Sequence, residues 1–340
     1  YGVVLSFALS FHKLMAVHIA GLDPVSLHKL GILAAVIVAL LRCGMIRIML
    51  EPAAALTLLL LQTYVVWIVC GSGESIGSAD PLKAYFGLLV PFLLLLPAWR
   101  AETALTVRRL LTLLAPVSVA VGAAMEAVGI GRLYSGDVAG VYRLSGANIA
   151  AHLAMLAFIG ASVALYEAVR SGSRGLGIWN ILALSNLFIL VETGTRGPLI
   201  ALVPMIAVFL ASGVLQAFRR GLVQAVSLLV PVGAGAALLF MKFETYLMRQ
   251  SEKGLSGREY AWVYFWEKTQ ETPLFGHGLG RVLTANDGSL YSGFLVPHNE
   301  YLRFMYDSGM IGALVLFAAI AWVLAAVAKR LAGWERWMFG

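Results

Sequence analysis

The sequence predicts an all-α polytopic integral membrane protein, a bundle of about ten or more transmembrane helices with a hydrophilic helical segment before the last of them. Three observations predict it. Of 340 residues 60% are hydrophobic and only 13% charged, with a mean hydropathy of +0.84, far from the balance of a soluble domain. Apolar runs near the length a bilayer demands, about 20 residues per helix, recur along nearly the whole chain. One long hydrophilic stretch, Met241 to Pro297, interrupts them. The chain therefore divides into a helical bundle over 1–240, a polar loop segment with interfacial helices over 241–298, and a C-terminal helix and transmembrane segment over 299–340.

Ten spans follow in order: Val3 to Ala20, Ser26 to Leu41, Ala53 to Cys70, Leu82 to Ala98, Val107 to Gly129, Asn148 to Val169, Leu176 to Val191, Pro198 to Gly213, Leu222 to Phe240 and Gly309 to Ala328. Several are short, as tilted or broken helices of a bundle are. Pro116 and Pro204 fall inside spans, where neighbouring helices satisfy the backbone groups that a proline frees. Cys43 and Cys70 lie near opposite ends of a predicted span, too far apart for a disulfide. Neither has a partner at metal-ligand spacing. The chain opens at Tyr1 without an initiator Met, and nothing at its start reads as a cleavable signal peptide.

Charge orients the spans. Alternate connections carry Arg42 and Arg47; Arg100, Arg108 and Arg109; Arg170 and Arg174; Arg219 and Arg220; and Lys329, Arg330 and Arg336. The intervening ones hold Lys29, Lys83, Arg132, Arg143 and Arg196, so one side leads by twelve to five and is assigned to the cytoplasm. Met241 to Pro297 and Arg196 then face outward, away from ATP and nucleotide sugars. Neither a GxxxxGK[ST] loop nor a dinucleotide fingerprint occurs, so the energy for any reaction arrives in the substrate. The net charge of +7 comes without a basic run or an aromatic-basic recognition motif, which sets nucleic acid aside in favour of lipid headgroups or phosphate-bearing substrates.

In the outer segment, Ser256 with Glu259 forms a capping box, and Gly257 to Glu271 is predicted as a helix ending before Pro273. Trp262, Phe265 and Trp266 share one of its faces, which suits either the membrane interface or packing onto the bundle. The run Phe275 to Arg281 is a glycine-rich loop and a weak phosphate-binding signal. In Pro297-His298-Asn299-Glu300-Tyr301-Leu302-Arg303, Pro297 disfavours helix before it and Asn299 is a good N-cap, so a helix starts within a residue of His298. Asn299, Arg303 and Asp307 then share one face.

Three residues meet on the outer side by this topology. Arg196 stands near the membrane, where a charge needs a reason: an ion pair with Glu192, or a guanidinium fork for phosphate or pyrophosphate. Arg258 opens a helix whose dipole opposes a cation unless an anion is present. His298 sits at a helix mouth, either as a surface histidine beside a cap or as part of a polar stripe where chemistry can sit. His12, His18, His28 and His152 lie in or beside apolar spans and read as bundle residues. Arg132 and Arg143 bracket an external Gly-rich loop and could touch a substrate, though a solvated loop is the safer reading.

Taken as an ordered set, the Thr195-Arg196-Gly197 turn, the helix from Gly257-Arg258 to Trp262, the Pro273 to Gly280 loop, and Pro297 to Leu302 followed by Gly309 and Gly312 resemble the bacterial O-antigen ligase and polymerase superfamily. The resemblance covers the C-terminal half, from Arg196 onward; the first half is similar only in being polytopic. It implies a multi-pass inner-membrane glycosyltransferase, independent of metal and cofactor, that moves a glycan from undecaprenyl pyrophosphate to an acceptor at the periplasmic face. It further implies that Arg196 and Arg258 handle the pyrophosphate and that His298 acts on the acceptor hydroxyl, with Asn299 and Arg303 in support.

The expectation is an O-antigen ligase, with lipid A-core as acceptor, membrane lipids around it and no nucleic-acid partner. An O-antigen polymerase or a protein O-oligosaccharyltransferase would use the same donor. A lipid-linked sugar transporter needs charged residues through the bundle, and the spans hold few beyond Lys13 and Glu126.

Overall fold

A computed structural model of the chain describes residues 30–31, 33–38, 41, 57, 60–61, 64, 101–136, 142–171, 177–210, 221–242, 258–278, 281–283 and 297–330. The principal elements are α1 (Ala101–Ala127), β1 (Tyr134–Gly136), β2 (Tyr142–Leu144), α2 (Ala150–Ser171), α3 (Ile178–Thr193), α4 (Arg196–Val208), α5 (Leu222–Met241), α6 (Arg258–Thr269), a short 3-10 turn (Arg281–Leu283) and α7 (Glu300–Arg330). The six predicted spans from Val107 onward correspond to α1 to α5 and α7. Val3 to Ala20 and Leu82 to Ala98 lie outside the described residues, as do Cys43, Cys70 and Ser256 of the predicted capping box. Ser26 to Leu41 and Ala53 to Cys70 are described only at scattered helical residues. Among the described residues, three helices are long and apolar enough to cross a membrane: Leu105–Ala127, Ala150–Ser171 and Glu300–Trp322. Ile178–Thr193, Arg196–Ala207 and Ala225–Met241 are shorter apolar helices. Large side chains such as Ile181, Phe188, Ile200, Val203 and Leu314 are exposed, which suits a lipid environment and would be a liability in water.

The described elements fall into two compact units, the first holding α1 to α5 with the hairpin, the second α6, the 3-10 turn and α7. In the first, Ala150, Ala154, Ala157, Ala161, Ala164 and Ala168 make a seam along α2, each nearly or wholly buried. Their alternating four- and three-residue spacing keeps small side chains on one face, so neighbouring backbones approach closely, the usual basis of helix association in lipid. Leu187 and Leu190 of α3 pack onto this seam. Pro116 cannot donate to the carbonyl of Thr112, four residues earlier. Asn186 of α3 fills that vacancy, donating Nδ2 to the Thr112 carbonyl oxygen at 2.8 Å. Its Oδ1 lies against Gly160, where a side chain would collide with it, so α1, α2 and α3 meet at one amide. Thus the predicted tolerance of Pro116 has a named partner.

Ion pairs mark the two ends of this unit. Arg108 of α1 meets the buried Glu167 of α2 at 2.9 Å, with Arg170 at 3.8 Å. At the opposite end Lys242, just past α5, meets Glu192 of α3 at 3.2 Å. The connection after α1 is more than the predicted Gly-rich loop. It contains a two-stranded antiparallel hairpin pairing Tyr134 with Leu144 and Gly136 with Tyr142. Gly122 and Gly146 let the chain after β2 press onto α1, and Ser118 holds it: the Ala147 N–H reaches the Ser118 carbonyl at 2.8 Å and Asn148 Nδ2 reaches Ser118 Oγ at 3.1 Å.

In the second unit, α6 packs on the first turns of α7. Ala261 and Phe265 are buried against Leu302, Tyr306 and Val282. The predicted aromatic face is therefore divided: Phe265 is buried, Trp262 half-buried and Trp266 exposed. The buried stripe follows the i, i+4, i+8 row Ala261, Phe265, Thr269, so Trp266 falls just outside it. α7 breaks at Gly309, whose φ of 65° and ψ of −177° is accessible almost only to glycine. The break frees backbone groups on both sides, and the loop after α6 satisfies them. His277 and Gly278 donate to the Tyr306 and Asp307 carbonyls at 2.9 and 2.7 Å, while Met310 donates to the Pro273 carbonyl at 2.8 Å.

Candidate functional site

Among the described non-glycine residues, His298 alone has a positive φ, 50°. For an L-residue this costs about 1–2 kcal/mol, so the surrounding structure must hold it. Trp262 of α6 donates its indole Nε1–H to the Pro297 carbonyl at 2.8 Å. On the other side Asn299 caps α7, its Oδ1 accepting the N–H groups of Tyr301 and Leu302 at 3.1 and 3.3 Å. The predicted helix start and N-cap are thus where the sequence placed them. His298 stands exposed between two anchored residues. Strain maintained in this way is characteristic of functional turns.

The imidazole is held below its ordinary pKa, first by partial loss of water around the ring and second by the charge of Arg258, against a smaller opposing pull from Glu300. Arg258, exposed at the first residue of α6, is thereby brought into electrostatic reach of His298. A neutral imidazole at the mouth of a helix, with a cation nearby, is the state a general base requires. Arg303 pairs with Glu300 at 3.3 Å. Such an i,i+3 surface pair contributes about 0.2–0.5 kcal/mol, little enough for Arg303 to exchange it for an anion. Asp307 serves the fold instead, since it is buried and its Oδ1 accepts the Val282 N–H at 2.9 Å.

Among the described residues of the glycine-rich loop, three N–H groups are engaged by protein carbonyls and so are not offered to a phosphate: Gly276 with Thr272, and His277 and Gly278 with the broken turn of α7. His277 is fixed as well, stacked on Tyr306 at 4.4 Å between ring centres with Nε2 2.9 Å from the Lys268 carbonyl oxygen. Glycine is needed at position 276 because a side chain there would strike the backbone of Asp307, Ser308 and Gly309.

Arg196 belongs to the first unit and is half-buried at the first residue of α4. Glu192, one of the two partners considered for Arg196, is paired with Lys242 at 3.2 Å. The turn before Arg196 is sharp: Gly194 closes α3 in the left-handed conformation, φ 59° and ψ 25°, its N–H on the Val191 carbonyl. Arg143 reaches this turn from β2. Its Nε donates to the Thr193 carbonyl at 2.7 Å and its Nη2 to Thr195 Oγ1 at 2.6 Å. Reading Arg143 as solvated therefore fails, because its partners lie some 50 residues away in sequence. Trp262 is the other contribution hidden from the sequence, which shows its aromatic face but not its indole bond.

A family model described as O-antigen ligase matches residues 181–318, a stretch that includes Arg196, Arg258, His298, Asn299 and Arg303. Neither curated proteins nor solved structures gave a match to the chain. Residues 181–318 are thus similar to the O-antigen ligase family, which supports the resemblance read from the sequence.

Proposed function

We propose that this membrane enzyme is an O-antigen ligase, transferring the glycan of an undecaprenyl-pyrophosphate donor to lipid A-core at the periplasmic face of the bacterial inner membrane. The observation that carries the reading is the braced, left-handed His298 with its lowered pKa beside Arg258, within a stretch matched by the O-antigen ligase family. The segment 241–298 supplies the outer catalytic surface in this reading, and the basic connections face the cytoplasm.

The reaction is a direct displacement. A hydroxyl oxygen of the acceptor attacks the anomeric carbon, its proton passes to the His298 imidazole, and the bond from that carbon to the pyrophosphate oxygen breaks on the opposite side, inverting the centre. Undecaprenyl pyrophosphate departs with the bonding electrons. Negative charge grows on its bridging oxygen, so cations placed there stabilise the transition state more than the ground state. Arg196 and Arg258 are assigned to that charge, which a guanidinium fork meets in bidentate fashion. No metal or cofactor enters this mechanism.

Arg258→Ala is expected to remove a charge-assisted contact of about 1.5–3 kcal/mol, lowering transfer by about one to two decades. Lys at 258 is expected to restore little, since it loses the fork. Full activity in a well-folded Arg258→Ala protein removes Arg258 from the mechanism. The function itself is tested by incubating the purified full chain with lipid-linked glycan and, separately, lipid A-core, a second lipid-linked glycan or an acceptor protein. Extension of lipid A-core is the expected result. Extension of the glycan identifies a polymerase, extension of protein a protein O-oligosaccharyltransferase, and no covalent product in any arm overturns the enzyme assignment.

A further inference from the structure

We propose that Arg143 is a positioning residue for Arg196, clamping the turn from which α4 starts and so fixing where that guanidinium meets an anion. The inference rests on the assignment of Arg196 to the donor pyrophosphate. Arg143 spans Gly194 with a single planar group, one donor on the Thr193 carbonyl and another on Thr195 Oγ1. Gly194 is the residue at which the chain reverses, and glycine alone would leave that reversal free to vary. The clamp removes the freedom.

Thr195 carries the second observation. It is the N-cap residue of α4, yet its side chain makes no cap bond to its own helix. In an ordinary cap the hydroxyl accepts an N–H from the first turn. Here it accepts from Arg143 Nη2 at 2.6 Å and donates to the Ala150 carbonyl at the start of α2, 3.3 Å away. The hydroxyl thus ties three elements, β2, α2 and the start of α4, next to Arg196 in sequence. Thr193 is similarly held, its Oγ1 donating to the Leu190 carbonyl at 2.7 Å. Lysine would carry the charge of Arg143 but not its rigid fork, which holds two acceptors at a fixed separation.

The experiment is a double-mutant cycle on glycan transfer by the full chain, with donor concentration varied. Arg143→Lys is expected to lower kcat/KM for the donor by up to about a hundredfold, the scale set by small misplacements of a reacting group. The loss should fall in the same parameter, kcat or KM, that Arg196→Ala moves. In an Arg196→Ala background Arg143→Lys should then cost less than about twofold, because its effect acts through a side chain already absent. Thr195→Val, which removes one acceptor at nearly constant volume, should show a smaller loss with the same coupling, and it carries the cycle if Arg143→Lys fails to fold. Wild-type kinetics in the tested variant, or losses that multiply with Arg196→Ala, overturn the positioning role while leaving Arg196 in place. Full activity in Arg196→Ala overturns the pyrophosphate assignment itself, and the positioning role with it.

Discussion

Replacing His298 by Gln is expected to lower the transfer rate by about two to four decades, the usual contribution of a positioned base, with the donor lipid still bound by the arginines assigned to it. Glutamine preserves the size and polarity of the side chain but takes up no proton. The test is transfer rate alongside donor affinity in folded His298→Gln protein. A rate near wild type reduces His298 to the residue beside a cap. Loss of binding together with rate would assign it to the pyrophosphate instead. The pH profile adds a second test. A base must be neutral, so activity is present above the imidazole pKa and falls as pH drops through it. Because partial desolvation and Arg258 both lower that pKa, the acid limb should lie below the ordinary histidine value of about 6.5. In Arg258→Ala one of the two causes is gone, and the acid limb of the remaining activity should move to higher pH. An unmoved limb would mean that the titrating group is not His298.

The cap at Asn299 was legible in the sequence because capping is local: Pro297, an amide and the first helical turn are adjacent in the chain. The later helices were legible because lipid imposes length and hydrophobicity on each separately, and three of them are long and apolar enough to cross a membrane. The predicted last span began at Gly309, which is where the structure breaks α7. Composition registered the change from polar to apolar there, but the continuation of helix across the break depends on carbonyls and N–H groups being satisfied by a loop some 30 residues earlier. The misread residues share this dependence on distant partners. Arg143 looked solvated because the acceptors that occupy it lie in the α3 to α4 turn. Glu192 was one of two alternatives for Arg196 because it is one helical turn away, and only the fold shows that Lys242 arrives beside that carboxylate with the end of α5. Glycine richness around Gly276 resembled a phosphate loop for the same reason. A need for close backbone approach and a need for free N–H groups produce the same composition.

Gly309→Ala is expected to cost about 1–3 kcal/mol for backbone strain, with about 1–3 kcal/mol more for overpacking. The φ of 65° with extended ψ excludes a side chain, and a methyl group built there would fall on the Leu274 carbonyl. Gly276→Ala should act alike, since position 276 meets the same break from the loop side, with φ of 71°. The consequence reaches function through the two helices that this contact joins. The loop leaves α6, which starts at Arg258 and carries Trp262, and it inserts into α7, which starts beside His298. Moving the loop out of the break strands the Tyr306 and Asp307 carbonyls within an apolar helix and loosens α6 against α7. Thermal unfolding in detergent should therefore show a lower midpoint for both variants, with transfer reduced even where the protein is folded. Gly233→Ala is the control: it lies inside α5, has no neighbour within 4 Å of the added group among the described residues, and should not lower the midpoint, since alanine favours helix over glycine. Wild-type midpoints for Gly309→Ala and Gly276→Ala would mean that the helix is not broken at this point and that the loop does not brace the turn holding His298.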